Sequence, residues 1–306
     1  MNTTAILEKA EGIRKVRAKA AAVNADLTPT QLMEKAKLDW TVTARQAFVN
    51  IKSKQEKIPI KGLFRDSDNK LLTTITSGWK HVQNHEAFSL FDGFTAAGDM
   101  SMHSAGSYHD GELVWIKAKY KTYEVVKNDI VDSYIMLTNP HRYGWRIRID
   151  EHSERLVCAN GMTRNISANV AKIDHRREFD TNEVMKMMGV AAEQVLIYQE
   201  QAKFLAAKAY TPEMMKEFFS TVFPRTSDAK KKNQPGKQFK RAIELAETQP
   251  GHDLAPGTFW NLFNAVTYIV DHEMGKTTEN RAESAIYGSG SKLKHRAMAI
   301  ACAMAK

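Results

Sequence analysis

The sequence predicts an α+β protein, in which an antiparallel sheet of β-hairpins is packed by a long helix and is followed by a helical C-terminal part. Up to about Ile173 the dominant pattern is the alternation of apolar and polar residues that is typical of strands. From Asp180 onward the apolar residues recur at helical spacing instead. Strands first and helices later is the order of an α+β fold, since alternating βαβ units are absent from the pattern.

The composition is that of a globular protein with an excess of positive charge. The chain has 306 residues and 43% hydrophobic content, which is enough to bury a large core. The 44 Lys and Arg against 35 Asp and Glu give a net charge of +9, which favours approach to polyanions such as nucleic acid or an anionic membrane. Because only Cys158 and Cys302 occur, neither a disulfide framework nor a cysteine-based zinc site is indicated.

The sequence also bears on location. No apolar run approaches the roughly 20 residues that a membrane-spanning helix needs. Glu8 and Glu11 interrupt the region where a signal peptide would require an apolar stretch. We therefore expect a soluble, cytoplasmic protein.

Three regions are expected along the chain. Residues 1–57 form an N-terminal helical arm, residues 58–225 an α+β core with the sheet and the long helix, and residues 226–306 a basic linker and a C-terminal helical region. Residues 2–23 have helical spacing, and Thr28 before Pro29 is typical of a helix start.

The core region is expected to contain three hairpins. The first pairs residues 60–64 with 71–76, and the second turns at the sequence His-Asp-Gly that ends at Gly111. The third pairs residues 144–150 with 155–161 around the polar residues 151–154. Further expected elements are a helix capped by Asn84, a strand at Ser133–Thr138 and a last strand at Val170–Ile173.

The second half of the chain is predicted to be helical. Asp180 and Glu183 have the spacing of a capping box, and a heptad seam follows them as far as Leu205. This seam is expected to dock on the sheet or on another subunit. Further helices are predicted at Met214–Phe223 and at about 238–248, 258–272 and 291–305, the last one capped by Ser291.

Two of the predicted strands carry cations on the face that is expected to meet solvent. Lys117, Lys119 and Lys121 share a face with Trp115, whereas Arg146 and Arg148 alternate with apolar residues. If the strands are neighbours, the cations form a basic face that binds phosphates, and an aromatic ring there can stack on a base. The candidate nucleic-acid-binding residues are Lys117, Lys119, Lys121, Arg146, Arg148, Lys172, Arg176, Arg177, Trp115 and Tyr143. The alternative interpretation of this face is an ordinary solvated surface.

The sequence contains no signature of a catalytic nucleophile, a metal site or a cofactor site. Asp271, His272 and Glu273 are the tightest group of possible metal ligands, but three consecutive residues cannot all face one ion. The segment Gly288–Lys292 lacks the spacing of a phosphate-binding loop. We therefore expect no catalytic residue, no metal and no cofactor.

Several segments resemble a family of phage- and plasmid-encoded proteins described only as a domain of unknown function, the DUF932-type family. The matching segments are Leu38–Val42, Val82–Asn84, Val114–Trp115, Arg155–Gly161, Val266–His272 and Glu283–Lys294. The order of hairpins followed by a long helix is also similar to the core of the Rad52-like and Redβ-like single-strand annealing proteins. This second likeness is an analogy between folds.

The resemblance implies a single-stranded DNA-binding and annealing protein of a phage or plasmid, which acts in homologous recombination without catalysis in the host bacterial cell. It also implies a homo-oligomer, either a ring or a filament, with no membrane partner. Two alternatives from other classes remain. One is a metal-dependent nuclease that uses residues 271–273, and the other is a host-interaction protein that inhibits a bacterial defence system.

Overall fold

A computed structural model of the protein describes residues 21–22, 26–165, 181–224 and 236–306. Within these residues the fold is α+β, as predicted, with antiparallel sheets and a helical C-terminal part. The described strands are β1 (Ala21–Ala22), β2 (Val42–Ile51), β3 (Lys54–Arg65), β4 (Lys70–Thr76), β5 (Ser101–Tyr108), β6 (Leu113–Glu124), β7 (Ile130–Pro140), β8 (Arg148–Arg155) and β9 (Asn160–Asn165). The described α-helices are α1 (Pro29–Lys35), α2 (Asn84–Phe88), α3 (Asp92–Ala96), α4 (Thr181–Ala206), α5 (Pro212–Val222), α6 (Lys237–Thr248), α7 (Phe259–Tyr268), α8 (Thr278–Tyr287) and α9 (Ser289–Met304).

Some expected elements fall outside the described residues. These are residues 2–20 and 23 of the predicted N-terminal helix, the strand at 170–173 and the cap at Asp180. Within the described part Ala21 and Ala22 form β1 rather than the end of a helix. The expected end of the N-terminal arm, residue 57, lies inside β3.

The larger sheet has the strand order β1-β5-β6-β7-β8-β9, and all of its pairs are antiparallel. On one face Ile116, Leu137 and Ile149 are direct cross-strand neighbours, and each is 0% exposed. Met187 and Ala191 of α4 are buried in the same cluster. Burial of each large aliphatic side chain contributes roughly 1.5–3 kcal/mol. The predicted seam of the long helix therefore docks on the sheet of its own chain.

The opposite face of this sheet is also covered, although one solvent-exposed face was expected. Trp115 and Met136 pack with Ala282 of α8, and Tyr287 of the same helix joins this cluster. The C-terminal helices therefore fold back over the sheet. The prediction of a wet face failed because α8 is short and is flanked by turn residues, so its period was not detected.

The C-terminal helices build a second core with α4. Trp260 and Phe263 of α7 stack with ring centroids 5.7 Å apart, and Phe218 and Phe219 of α5 are completely buried beside them. The predicted helices at 214–223, 238–248, 258–272 and 291–305 are confirmed with shifts of a few residues. The main shift is in the third of these, where the α-helix ends at Tyr268 and a π-turn spans Ile269–Glu273.

The smaller sheet has the order β2-β3-β4. The hairpin expected from residues 60–64 and 71–76 is confirmed as β3 and β4, but β3 begins earlier and pairs with β2 along its whole length. Leu63 and Ile75 are buried where this sheet packs on Trp79. We name the paired strands β2 and β3, residues 42–65, the ribbon.

Three further expectations are corrected. Residues 151–154 are not a turn but the middle of β8, and the hairpin turns at residues 156–159. Asn84 does not cap α2; Gln83 does, and Asn84 instead donates from Nδ2 to the carbonyl of Leu38 at 2.9 Å. Ser291 lies inside α9, whose N-cap is Gly288. In each case a polar side chain that looked suited to a turn or a cap serves a buried contact.

Among the described residues no helix is both long and apolar enough to cross a membrane.

Candidate functional site

The structure brings three of the predicted cations onto one face of the larger sheet together with Trp115, and each of the cations has a carboxylate partner. Lys117 Nζ lies 2.7 Å from Glu154 Oε1, and Lys119 Nζ lies 2.9 Å from Asp132 Oδ1. Because strand β7 lies between β6 and β8, these pairs tie the sheet together laterally. The cations therefore neutralise charges of the fold itself.

Arg148 is held in a similar way at the other end of this face. One of its terminal nitrogens lies 2.8 Å from Asp150 Oδ1, and its guanidinium lies 4.8 Å from the ring centroid of Tyr287. Burial raises the pKa of Asp150 to about 6, although the adjacent arginine acts in the opposite direction. Trp115 is only 3% exposed under α8, so its ring is not accessible to a base.

The remaining predicted contacts are dispersed. A β-bulge between Lys119 and Lys121 pairs Lys121 with Ser133, which turns it to the opposite face of the sheet from Lys119. Tyr143 is 46% exposed and Arg146 is exposed, both in the loop between β7 and β8. Lys172, Arg176 and Arg177 lie outside the described residues. Within the described part of the chain the candidate residues therefore do not form one continuous basic face.

A groove of about 830 Å³ runs beside the bulge. Lys119 and Lys121 line it, but so do the exposed carboxylates of Asp26, Asp92 and Asp99. Because Lys119 is already paired with a carboxylate, the charge of the groove does not favour phosphate.

The basic face continues into a buried polar network. His152 Nδ1 lies 2.7 Å from Thr163 Oγ1, and His152 Nε2 lies 2.8 Å from Glu154 Oε1. Burial lowers the pKa of His152, and the nearby Lys117 acts in the same direction. Oε1 of Glu154 therefore links the imidazole of His152 to the Lys117 ammonium, so this buried network joins β6, β8 and β9.

The three candidate metal ligands do not converge. Asp271 accepts from Lys294 Nζ at 2.9 Å and from the backbone N–H of Gly161 at 2.7 Å. His272 Nε2 lies 3.0 Å from the carbonyl of Cys158, and Glu273 is paired with Arg241. Within the described part of the chain no three His, Cys, Asp or Glu side chains are placed to hold a metal ion.

The ribbon is an exposed basic feature of the described residues. From residue 45 to residue 61 the sequence has five Lys or Arg against one Glu. Arg45 lies 3.6 Å from Asp66, but the four lysines make no ion pair with any described carboxylate. These lysines are Lys52, Lys54, Lys57 and Lys61.

The ribbon also exposes apolar side chains. Phe48 is 51% exposed, Val49 is 39% exposed and Ile51 is 46% exposed. Sequence reasoning missed this surface because residues 1–57 were expected to form a helical arm. Positive φ angles at Lys52 and Ser53 form the turn between β2 and β3.

The comparison with protein families covers most of this fold. The family described as a domain of unknown function, DUF932, matches residues 71–288, well over half of the chain. This chain belongs to the DUF932 family. No curated protein and no solved structure matches it.

The segment Arg155–Gly161, which carried much of the resemblance to the DUF932 family, is held in place by buried contacts. Arg155 forms a buried pair with Asp129, with Nε 2.6 Å from Oδ1, and Trp260 donates to the second carboxylate oxygen of Asp129 at 2.8 Å. Burial raises the pKa of the Cys158 thiol, as expected for a core cysteine. Asn160 Nδ2 donates to the carbonyl of Asn264 at 3.1 Å. The segment joins the sheet to the C-terminal helices and serves the fold.

The ribbon lies on the N-terminal side of the residues that match DUF932. The matched part of the chain supplies the strands β5 to β9 and the helices α4 and α8 that cover them. The lysines of the ribbon thus lie in a segment that precedes the matched region.

Proposed function

We propose that this DUF932 protein is a single-stranded DNA-binding and annealing protein of a phage or plasmid, which acts in homologous recombination without catalysis. The observation that carries the proposal is the ribbon, where Lys52, Lys54, Lys57 and Lys61 have no described carboxylate partner. Each phosphate that such a lysine neutralises releases a condensed counterion, and this release favours binding.

The ribbon also offers a ring for base stacking. Phe48 is 51% exposed and stands directly opposite Lys57 in the β2–β3 register, so both side chains emerge on one face. Stacking of a base on an aromatic side chain contributes about 1–3 kcal/mol and tolerates any sequence. A ring beside a free ammonium can therefore hold a base and its phosphate together.

The residues predicted from the sequence contribute less to this proposal. Lys117, Lys119 and Arg148 each have a carboxylate partner. Tyr143 and Arg146 are exposed and can make secondary contacts. The annealing step is supported by the similarity to the fold of annealing proteins alone, and the mobile-element origin by the resemblance to a family of phage- and plasmid-encoded proteins alone.

The two alternative functions have less support. The dispersed partners of Asp271, His272 and Glu273 do not favour a nuclease built on these residues. A host-interaction protein would use the same exposed ribbon surface for a protein partner, and it is distinguished by the absence of nucleic-acid binding.

The test is fluorescence anisotropy with labelled single-stranded and duplex oligonucleotides of equal length, titrated with the full chain at several salt concentrations. We expect the single strand to bind more tightly and the affinity to fall with salt. Combined Lys57→Glu and Lys61→Glu should weaken binding far more than combined Lys37→Glu and Lys80→Glu, which reverse exposed lysines outside the ribbon. The pair Arg146→Glu and Arg148→Glu tests the predicted site separately.

Two results would overturn the proposal. One is no binding of the single strand at low salt. The other is equal loss from the ribbon variant and the control variant, because that result reflects net charge alone. Annealing is measured by mixing complementary labelled strands with and without the protein. If the protein does not change the rate, the annealing part of the proposal is wrong even when the single strand binds.

A further inference from the structure

The pairing between the two strands of the ribbon is interrupted near its middle. Gln46 pairs with Lys61 and Phe48 pairs with Lys57, so between these pairs β2 advances by two residues and β3 by four. Residues 58–60 of β3 therefore stand opposite a single residue of β2 and have no partner in its register. A bulge of this kind bends the strand and redirects the residues beyond it.

The third strand gives the bulge little support. The pairing of β3 with β4 begins at Ile60, which lies opposite Thr76, so β4 does not reach Ile58 or Pro59. Pro59 has no N–H and cannot donate to a ladder. The backbone carbonyls of the bulge therefore need donors from a source other than the β2 ladder.

The side chain of Gln46 supplies these donors. Its Nε2 lies 2.6 Å from the carbonyl oxygen of Ile58, 3.1 Å from that of Ile60 and 3.0 Å from that of Ala47. A side-chain amide has two N–H donors, so at least one of them is shared between two carbonyls. The amide thus joins the two strands across the bulge, where their backbone pairs are missing.

The bulge also separates the proposed DNA contacts of the ribbon. Lys61 lies on one side of it, and Phe48 and Lys57 lie on the other. Because Gln46 and Phe48 are two residues apart on β2, their cross-strand partners Lys61 and Lys57 emerge on one face of the ribbon. Glu56 precedes Lys57 and therefore points to the opposite face.

We propose that Gln46 is a positioning residue for single-strand binding. Its amide holds the distal ribbon, residues 47–58, in the one orientation in which Phe48, Lys57 and Lys61 contact the same strand. A two-stranded hairpin is marginally stable in water, and beyond the bulge the distal ribbon pairs only with itself. This inference rests on the proposed function and names the residue that orients its contacts.

Loss of the amide should lower affinity without removing a contact. When a fraction of the molecules has the binding-competent orientation, the apparent dissociation constant rises in inverse proportion to that fraction. If about one molecule in ten stays competent, binding weakens about tenfold. The bound state still contains every lysine, so the slope of log affinity against log salt should not change.

The first test is fluorescence anisotropy with a single-stranded oligonucleotide at several salt concentrations. Gln46→Met keeps the length of the side chain and removes its N–H donors. We expect about tenfold weaker binding with the salt slope of the wild type. The matched control is Gln238→Met, an exposed glutamine on α6, which should bind as the wild type does. An unchanged affinity, or a changed slope, of Gln46→Met would overturn the inference.

The second test measures the distal ribbon without DNA. Nitroxide labels at Ser53→Cys in the turn and at Thr74→Cys on β4 occupy exposed positions, and pulsed electron paramagnetic resonance gives the distance between them. The labelled chain carries Cys302→Ser, and Cys158 is buried. We expect a narrow distance distribution in the chain with Gln46 and a broad one with Gln46→Met. Gln46→Lys places N–H donors at the bulge again and should narrow the distribution.

The two tests separate this inference from the proposed function. A distribution that is as narrow with Gln46→Met as with Gln46 sinks the inference and leaves the proposed function standing. No single-strand binding by the wild type overturns the proposed function, and with it the role of Gln46 in binding. Thermal melting of each variant checks that the fold is intact, so that a broad distribution reports the ribbon alone.

Discussion

Lys294 Nζ lies 2.9 Å from Asp271 Oδ1, and the two side chains are 1% and 3% exposed. The same ammonium donates to the carbonyl of Gly161 at 2.5 Å, and Asp271 accepts from the N–H of that glycine. Helix α9, the π-turn after α7 and the start of β9 are therefore joined by one buried pair of charges. A buried pair is costly to break from one side, because the remaining charge is left without a partner.

Removal of one member of this pair should destabilise the fold strongly. We expect Lys294→Met to lower the free energy of unfolding by about 3–5 kcal/mol. Lys294→Met combined with Asp271→Leu should recover part of the loss, since no isolated charge remains. The control is Lys292→Met, an exposed lysine on the same helix. Urea unfolding followed by circular dichroism measures all three, and equal stability of the single variant and the wild type would contradict the prediction.

Glu151 should make stability fall as pH rises. Burial raises its pKa from 4.5 to about 7, while Arg164 and Ser153 act in the opposite direction. Oε2 of Glu151 has no hydrogen-bond partner among the described groups. Between these two pKa values the unfolded chain binds fewer protons than the folded chain, so stability is lost as pH rises through this window.

The expected result for Glu151→Gln is therefore a flatter dependence of stability on pH. Above pH 7 the variant should be more stable than the wild type by on the order of 1–3 kcal/mol. The matched control is Glu200→Gln, which changes an exposed glutamate on α4. Chemical unfolding of both chains at several pH values measures the difference in stability between them. The prediction would be contradicted if the wild type gained stability relative to Glu151→Gln between pH 5 and pH 7.

Gly251 should tolerate no side chain. Its φ angle is +77°, and an added Cβ would lie 2.5 Å from Val157 Cγ1. Its carbonyl also accepts from Arg155 at 2.8 Å, so a shift of the backbone disturbs the buried arginine. We expect Gly251→Ala to cost about 1–3 kcal/mol.

Two other glycines separate strain from crowding. Gly257 has a φ of +69° with open space around it, so Gly257→Ala should show the backbone strain alone and cost less than Gly251→Ala. Gly189 lies in α4 with open space, and Gly189→Ala should stabilise the chain by about 0.5–1 kcal/mol through helix propensity. Thermal melting of the three variants ranks their stabilities. An equal cost at Gly251 and Gly257 would show that Val157 moves aside.

The salt dependence of DNA binding should reflect the number of ribbon lysines that contact phosphate. For single strands the slope of log affinity against log salt changes by about 0.7 for each phosphate contact. Lys57→Gln alone should therefore reduce the slope by about that amount, and Lys57→Gln with Lys61→Gln by about twice as much. Lys80→Gln should leave the slope unchanged. A slope that is equal in all of these chains would exclude the ribbon lysines as phosphate contacts.

Much of the fold could be predicted because it depends on local signals. Thr28 and Gln31 form a capping box before Pro29, with the hydroxyl of Thr28 3.2 Å from the N–H of Gln31, and this requires only a short segment. The hairpin at Gly111 and the seam of α4 follow likewise from turn chemistry and periodicity. The polar residues 151–154 were wrongly predicted to form a turn, because elements that are distant in the sequence bury them and local signals do not show this.

The sequence by itself determined the α+β order, the long helix and its apolar seam, and the net positive charge. Only the tertiary structure decided which cations are accessible. Lys117 meets a carboxylate that comes from another strand of the sheet, and α8 covers the face on which Lys117 and Arg148 lie, whereas Lys57 projects on a ribbon that no described element covers. The physical reason is that an ion pair or a covering helix depends on residues distant in the chain, and the period of a strand cannot show them.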